Sequence, residues 1–243
     1  MSKIFAITSG KGGVGKSTVS VGLATAFFEA GNKVLLIDMD QGFRCLDLML
    51  GVDSKAVFDL ADILSGREIE DALYSCEQSE KLWLIPAPSK ANSVDSVAFK
   101  EFVNSVTEKF DIVIFDFPAG IDLSLYSCLP NDALFLTVAV PDPVSIRDAA
   151  QIGCNLKEAG IPSKLIINRF ILKQSRSYGF KNIDSIIDSS SLQLIGIVPE
   201  SEELSALSVT HKIDERCRAK KAFKRISLRL LGDELLLPKL KKI

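Results

Sequence analysis

The 243 residues, 47 % of them hydrophobic, suffice to bury a substantial core, and with no Pro/Gly/Ser-rich linker or long charge block they read as one domain. No apolar run approaches the roughly 18 residues of a membrane span, MSKIFAITSGKGG does not read as a signal peptide, and Cys45, Cys76, Cys128, Cys154 and Cys217 form no CxxC pair. A structural zinc, an iron–sulfur site and a disulfide framework are thereby excluded, the thiols are expected reduced in or near the core, and a soluble cytoplasmic protein is expected. The net charge of −2 is spread unevenly: from Arg216 onward ten Lys and Arg face only Asp233 and Glu234. A basic end on an acidic body suggests an anionic partner, membrane or nucleic acid, unless it is simply a solvated helix face.

The first predicted strand, IFAITS (4–9), runs into Gly10-Lys11-Gly12-Gly13-Val14-Gly15-Lys16-Ser17, followed by a predicted helix over 17–30. This matches G-x-x-x-x-G-K-[ST] in the strand-then-helix setting that gives the pattern its meaning. Glycine reaches backbone conformations closed to other residues and lets the chain approach a phosphate with no Cβ in the way. Successive N–H groups and the positive end of the helix form an anion nest. Lys16 is placed for the β- and γ-phosphates and Ser17 for Mg2+, so ATP with Mg2+ is the expected ligand.

The next strand, VLLIDMD within 33–40, closes on Asp38 and Asp40. A helix over 57–74, a strand over 82–88 and a helix over 95–109 follow. DIVIFDF (111–117) then supplies Asp116 behind four apolar residues, the buried acid that P-loop enzymes use to hold hydrated Mg2+. If the strands are neighbours, Asp38 and Asp40 share that rim, one orienting the attacking water and the other supporting the metal shell. Strands over 133–140, 164–170 and 194–200 alternate with helices over 144–159 and 182–191. The strands are continuously apolar, as in parallel sheets covered on both faces. FFEAG and LKEAG close helices on glycine. The expected fold is a three-layer, doubly wound α/β fold with a mostly parallel sheet, a P-loop NTPase whose ligand lies beyond the strands' carboxyl ends.

After Pro199 the pattern turns helical to the end, with Ala219, Phe223, Ile226 and Leu230 on one face and most cations elsewhere. His211, alone in VTHKIDE, reads as a surface loop. The domain is expected over 1–232 with a tail over 233–243. In that tail Leu236, Leu240 and Ile243 would share a face and Lys239, Lys241 and Lys242 would meet lipid phosphates, although Pro238 limits any helix to the last few residues; the alternative is a packed or frayed terminus.

The second loop lysine, Lys11, makes KGGVGKST the deviant Walker A motif of the MinD/ParA family of P-loop ATPases, which the chain resembles over 1–232. The family's I-D-x-D-x-G-x-R-N-L-D-L-x-x-G is matched from Asp38 to Gly51, D-S-P-A-G-I from Asp116 to Ile121, the PEVSSVRDADR element from Pro141 to Asp148, and GVIPED by IGIVPES. The resemblance implies that the phosphates are bound by Gly10 through Thr18, and that Lys11, Lys16 and Asp40 carry the catalysis. Lys11 would reach across a sandwich homodimer to the partner's phosphates, and Asp40, in switch I, would position the water. It further implies Mg2+ at Ser17, Asp38 and Asp116, switch II at Pro118, Ala119 and Gly120, and adenine flanked by Asn168, Arg169, Pro199 and Glu200.

The implied activity is slow ATP hydrolysis that cycles the protein on and off an anionic membrane at the inner face of the cell, positioning the division septum with a division-inhibitor or activator protein as partner. The RxLDL and PAG elements favour that branch over the ParA-like one, in which an ATP dimer holds nucleoid DNA non-specifically, here through Arg218, Lys221 and Arg225. A metal-cluster P-loop enzyme is set aside because Cys128 has no second ligand. Three departures stand out: Phe117 replaces the usual switch II serine, Cys45 replaces the asparagine of RNLDL, and only DELLLPKLKKI follows Gly232.

Overall fold

The computed structural model describes residues 2–76, 79–90, 94–180 and 182–238. Its elements run β1 (Lys3–Thr8), α1 (Lys16–Glu29), β2 (Val34–Asp38), α2 (Cys45–Leu50), α3 (Leu60–Leu64), β3 (Tyr74–Cys76), β4 (Ser79–Ile85), α4 (Ser96–Lys109), β5 (Ile112–Asp116) and α5 (Leu123–Tyr126). The second half continues through β6 (Leu134–Ala139), α6 (Pro143–Glu158), β7 (Ser163–Phe170), α7 (Leu172–Ser177), α8 (Ile183–Ser190), β8 (Leu194–Pro199), α9 (Glu202–Ser205), α10 (Leu207–Thr210) and α11 (Arg218–Leu231).

Alternation along each strand feeds two cores at once. Phe5 and Ile7 of β1, Val34 and Leu36 of β2, and Ile112 and Ile114 of β5 pack with α1 and α11. Ile4 and Ala6, Leu35 and Ile37, and Val113 and Phe115 point the other way, to α4 and α6. Neither face meets water, and that is why the strands carry no polar alternation. The sheet among the described residues has order β3-β4-β2-β5-β1-β6-β7-β8. Every neighbouring pair is parallel except β3 with β4. The order reverses at β1, whose carboxyl end is therefore the crevice where ligands sit in open α/β sheets.

Helix α1 is buried along most of its length, under the sheet and beneath α11. A Cβ on Gly22 would lie 2.3 Å from the Phe223 ring, so α11 approaches α1 only because that side chain is absent. The doubly wound expectation and the seven predicted strands hold.

Three local expectations differ. The helix predicted over 57–74 stops after one capped turn and a half: Asp59 and Asp62 form a reciprocal cap around α3. Gly66 then turns the chain at φ 101°, and after a 3₁₀ turn (Ile69–Ala72) β3 pairs antiparallel with β4. The run after Pro199 is not one helix either. His211, at φ 52°, ends α10, and irregular chain leads to α11, which Gly232 closes. Finally, 233–238 is non-helical, with Leu236 94 % exposed and Leu237 packed against the apolar cluster of α6, β7 and α8. The expected lipid-facing residues Lys239, Leu240, Lys241, Lys242 and Ile243 lie outside the described residues. No helix among those described is long and apolar enough to cross a membrane.

Candidate functional site

The loop between β1 and α1 is shaped by what surrounds it. Gly15 caps α1 in the left-handed region, φ 88°, and Gly13 sits at φ 80°. A Cβ on Gly10 would lie 2.8 Å from the Asp148 carbonyl oxygen, and one on Gly15 would lie 2.4 Å from Asn168 Nδ2. At Gly12 and Gly13 a Cβ would meet nothing within 4 Å. The loop is thus clamped at both ends and open in the middle, where Gly12 and Gly13 are exposed. Asn168, at the end of β7, supplies one clamp by donating from Nδ2 to the Val14 carbonyl at 2.9 Å. Sequence reasoning missed this brace because 154 residues separate its partners.

The two loop lysines occupy opposite environments. Lys16 opens α1 and is 8 % exposed, whereas Lys11 is exposed, its carbonyl accepting from Ser9 Oγ at 2.8 Å. Lys16 adds its charge to the positive end of α1 and acts electrostatically on Asp116.

Behind them stands an acid pair. β2 and β5 are hydrogen-bonded neighbours with Asp38 opposite Asp116, so the two carboxylates end their strands side by side, 1 % and 0 % exposed. Asp116 Oδ1 accepts from Ser20 Oγ at 2.9 Å, while its buried Oδ2 has no partner. Burial raises Asp116 to about 6, against the pull of the Ser17 and Ser20 hydroxyls and Lys16. Burial and the charge of Asp116 raise Asp38 to about 8, although the amides of Asp40 (2.9 Å) and Leu46 (3.4 Å) donate to it. Two adjoining desolvated carboxyls, one with an orphan oxygen, form an acceptor set short of positive charge. That set, with the Ser17 hydroxyl, fits Mg2+. Among the described residues no three His, Cys, Asp or Glu form a metal cage by themselves, so phosphate oxygens would have to complete it.

Asp40 is half-buried beside the acid pair, its amide bound to Asp38 Oδ1, and it lines a cavity of about 250 Å³ with Phe117, Pro118, Ala119 and Gly120. Pro118 and Ala119 are exposed, but Gly120 is tied down: its amide donates to the Ser9 carbonyl at 2.8 Å and its carbonyl accepts from Thr8 Oγ1 and Tyr126 OH, both at 3.2 Å. Phe117 is buried against Phe115, Tyr126 and Phe135. The residue at the usual serine position therefore fills the aromatic core as well as lining the cavity.

All four residues expected around the base meet. Asn168, Arg169, Pro199 and Glu200 line one cavity of about 230 Å³ with Thr18, Met49 and Leu204. A β7–β8 register shift with Arg169 at φ 53° brings them there. Asn168 Oδ1 is buried without a partner, an acceptor suited to the exocyclic amine of adenine. The thiols depart from expectation in two cases. Cys76, Cys128 and Cys217 are buried and Cys154 is exposed. Cys45, half-buried at the start of α2, donates its S–H to Ser17 Oγ at 3.2 Å, and burial, together with the nearby Asp38 and Asp116, pushes it up to about 11. His211 is not a free surface residue: its ring packs on Gly51 with Nδ1 buried.

A family model described as the CobQ/CobB/MinD/ParA nucleotide binding domain matches residues 5–213. The septum site-determining protein MinD of Bacillus subtilis is 33 % identical, the match covering 97 % of this chain and 91 % of that protein. Among solved structures, MinD in the MinC:MinD cell division complex of Aquifex aeolicus superposes with a TM-score of 0.87 at 32 % identity, covering 98 % of this chain and 99 % of that one. MinD of Pyrococcus horikoshii, solved with Mg-ADP, gives 0.81 at 28 %, covering 96 % and 97 %. A ParA family ATPase of Chlorobium tepidum, 21 % identical, shares the fold.

Proposed function

The chain belongs to the CobQ/CobB/MinD/ParA nucleotide-binding family, and from that premise we propose how its residues perform a MinD-like ATPase cycle in septum-site determination. The observation that carries the reading is the pairing of a clamped loop bearing Lys16 with a second, exposed lysine, Lys11, in front of a buried acid pair. ATP hydrolysis is the activity of this family, and the relative solved with Mg-ADP supports nucleotide and Mg2+ as its ligands here.

The amides of Gly10 through Thr18 and Lys16 hold the phosphates, Ser17 with Asp38 and Asp116 holds Mg2+, and Asn168, Arg169, Pro199 and Glu200 hold the base. When bound, Mg2+ supplies positive charge against the oxygens of the leaving phosphate. Asp40, facing Pro118 to Gly120 across its cavity, orients the attacking water. Lys11 points out of its own site. In a second copy of this chain it neutralises charge developing on the partner's phosphates, a cation that completes the site only when two chains meet. Turnover in the single chain is slow on that account, and nucleotide state governs pairing.

The output is a position rather than a product. A division-inhibitor protein as partner is supported by the relative's presence in a MinC:MinD complex. We place the domain at 1–232 and assign the 233–243 tail to contact with anionic lipid at the inner face of the membrane, the anchor being doubled when two chains pair so that two weak contacts become a useful one.

Co-sedimentation with anionic liposomes, in ATP and in ADP, tests this reading. The protein should pellet with ATP, and a chain ending at Gly232 should not. The DNA-holding alternative is less favoured. On α11, Lys220 is already paired with Glu29 and Glu215, and Arg229 donates to the Ile195 carbonyl, which removes two cations from its basic face. Retention of DNA that disappears on neutralising Arg218, Lys221 and Arg225 would favour it instead.

A further inference from the structure

Helix α11 parts its charges between two sides. On one, Lys220 pairs with Glu29 and Glu215 at a surface that also carries Glu202, Glu203 and Asp214. On the other, Arg218, Lys221, Arg225 and Arg229 follow one another along a cavity of about 170 Å³ whose described walls hold no acid. Lys221 with Arg225, and Arg225 with Arg229, are like charges one turn apart, an arrangement that weakens a helix. Arg229 donates to the Ile195 carbonyl and Arg225 Nε to the Lys221 carbonyl of its own helix at 3.2 Å. No carboxylate among the described residues pairs with Arg218, Lys221 or Arg225. The rest of that cavity is apolar. A Cβ on Gly196 would lie 2.3 Å from Ile226 Cγ1, so α11 sits directly on β8, the last strand of the sheet among the described residues. Ile195, Ile197 and Ala222 line the slot, and the chain returns to it at Leu236, Leu237 and Pro238. Leu236 is left almost wholly in solvent.

We propose that this slot is a binding site for one anionic phospholipid, its phosphate held by Arg218, Lys221 and Arg225 and its acyl chain laid on Ile195, Ile197 and Leu236. The inference rests on the lipid reading above and adds to the tail a specific contact on the folded domain. Two properties of the slot choose this occupant. Its cations lack acids and call for an anion, and guanidinium groups bind phosphate oxygens through paired N–H bonds. Its apolar wall calls for hydrocarbon, and at about 170 Å³ it is smaller than the roughly 300 Å³ at which pockets take drug-sized molecules, so it suits a slender chain. A DNA backbone would use the cations but leave the apolar wall and Leu236 in water. Long basic side chains beside an exposed leucine suit the headgroup layer, the cations reaching phosphates while the leucine lies deeper. With a lipid seated here, the domain docks on the bilayer in one orientation rather than hanging from its end.

The test titrates the full chain by calorimetry with monomeric dihexanoyl phosphatidylglycerol, so that no bilayer is present. One equivalent should bind, at least about tenfold more tightly than dihexanoyl phosphatidylcholine or glycerol 3-phosphate. Lys221→Gln combined with Arg225→Gln should weaken binding at least about tenfold, and Leu236→Asp should do the same. These side chains are exposed or half-buried, so Mg-ADP affinity within about twofold of the parent verifies that each variant is folded. Glycerol 3-phosphate binding as tightly as the lipid would make this a free-phosphate site and overturn the proposal. So would a DNA duplex or polyglutamate that binds more tightly than the lipid and is lost in the same variants. Anionic liposomes separate the slot from the tail. A parent that pellets in ATP but does not bind the monomer, or whose variants bind the monomer unchanged, overturns the slot and leaves the tail reading standing. A parent that binds the monomer, loses it in the variants and fails to pellet overturns the tail reading and supports the slot.

Discussion

The glycine loop has two halves that differ in almost every physical respect. The inner half, Val14 to Ser17, is braced by Asn168, carries a buried lysine and faces two desolvated carboxyls. The outer half, Gly10 to Gly13, is exposed, and its lysine points to solvent. Beyond it lie Asp40 and the exposed Pro118 and Ala119. On the proposed reading, one chain supplies the binding site and a second chain the missing cation: binding needs charge and geometry that can be built once, and hydrolysis would wait for Lys11 of another copy.

The difference can be broken from either side. Lys11→Ala should lower ATP turnover about 10³-fold, the scale of a charge supplied in trans, while ADP affinity of the single chain changes less than about threefold. Lys16→Ala should do the reverse in kind, costing about 100-fold in nucleotide affinity by calorimetry. If the two variants lost affinity equally, the halves would not be functionally distinct. Gly15→Ala attacks the clamp: a Cβ 2.4 Å from Asn168 Nδ2 at φ 88° should cost about 2 kcal/mol of stability in denaturant unfolding.

The acid pair sharpens the contrast through pH. Asp38 and Asp116 stand near 8 and 6 in the fold, against 3.8 unfolded, so the native chain keeps protons that the unfolded chain has already released. Their contribution is fully present below about pH 4 and is lost as pH rises through 6 and 8. The midpoint of thermal unfolding without nucleotide should therefore fall by several degrees from pH 5 to pH 8. Mg-ADP, which brings positive charge to the carboxyls, should flatten that slope, and Asp38→Asn should flatten it without ligand. The smallest effect is expected at switch II. Tyr126→Phe removes one of three hydrogen bonds holding Gly120 and should cost about 1 kcal/mol.

Most of the loop and its acids could be read from the residue pattern itself, whereas the role of Lys11 came only by resemblance. Seven buried strands, the loop and its three acids follow from apolar runs and from spacing, because a parallel sheet covered on both faces leaves a continuous signal. β3 carries too short a pattern to announce itself, and only Gly66 hinted that 57–74 is not one helix. The Asn168 brace, the Tyr126 tie and the contact of Cys45 with Ser17 depend on elements brought together by the crossovers, which no local pattern encodes. Phe117 and Cys45 both departed from the family motif, yet only packing separates their meanings: one fills the aromatic core, the other faces the Ser17 hydroxyl.

The claim that a second copy completes the outer half is tested most directly by light-scattering mass in a slowly hydrolysed ATP analogue. The native chain should double its mass with the analogue and not with ADP, and Lys11→Ala should remain a monomer in both. A native chain that stays monomeric while binding the analogue, or a Lys11→Ala chain that pairs as readily as the parent, would contradict the account.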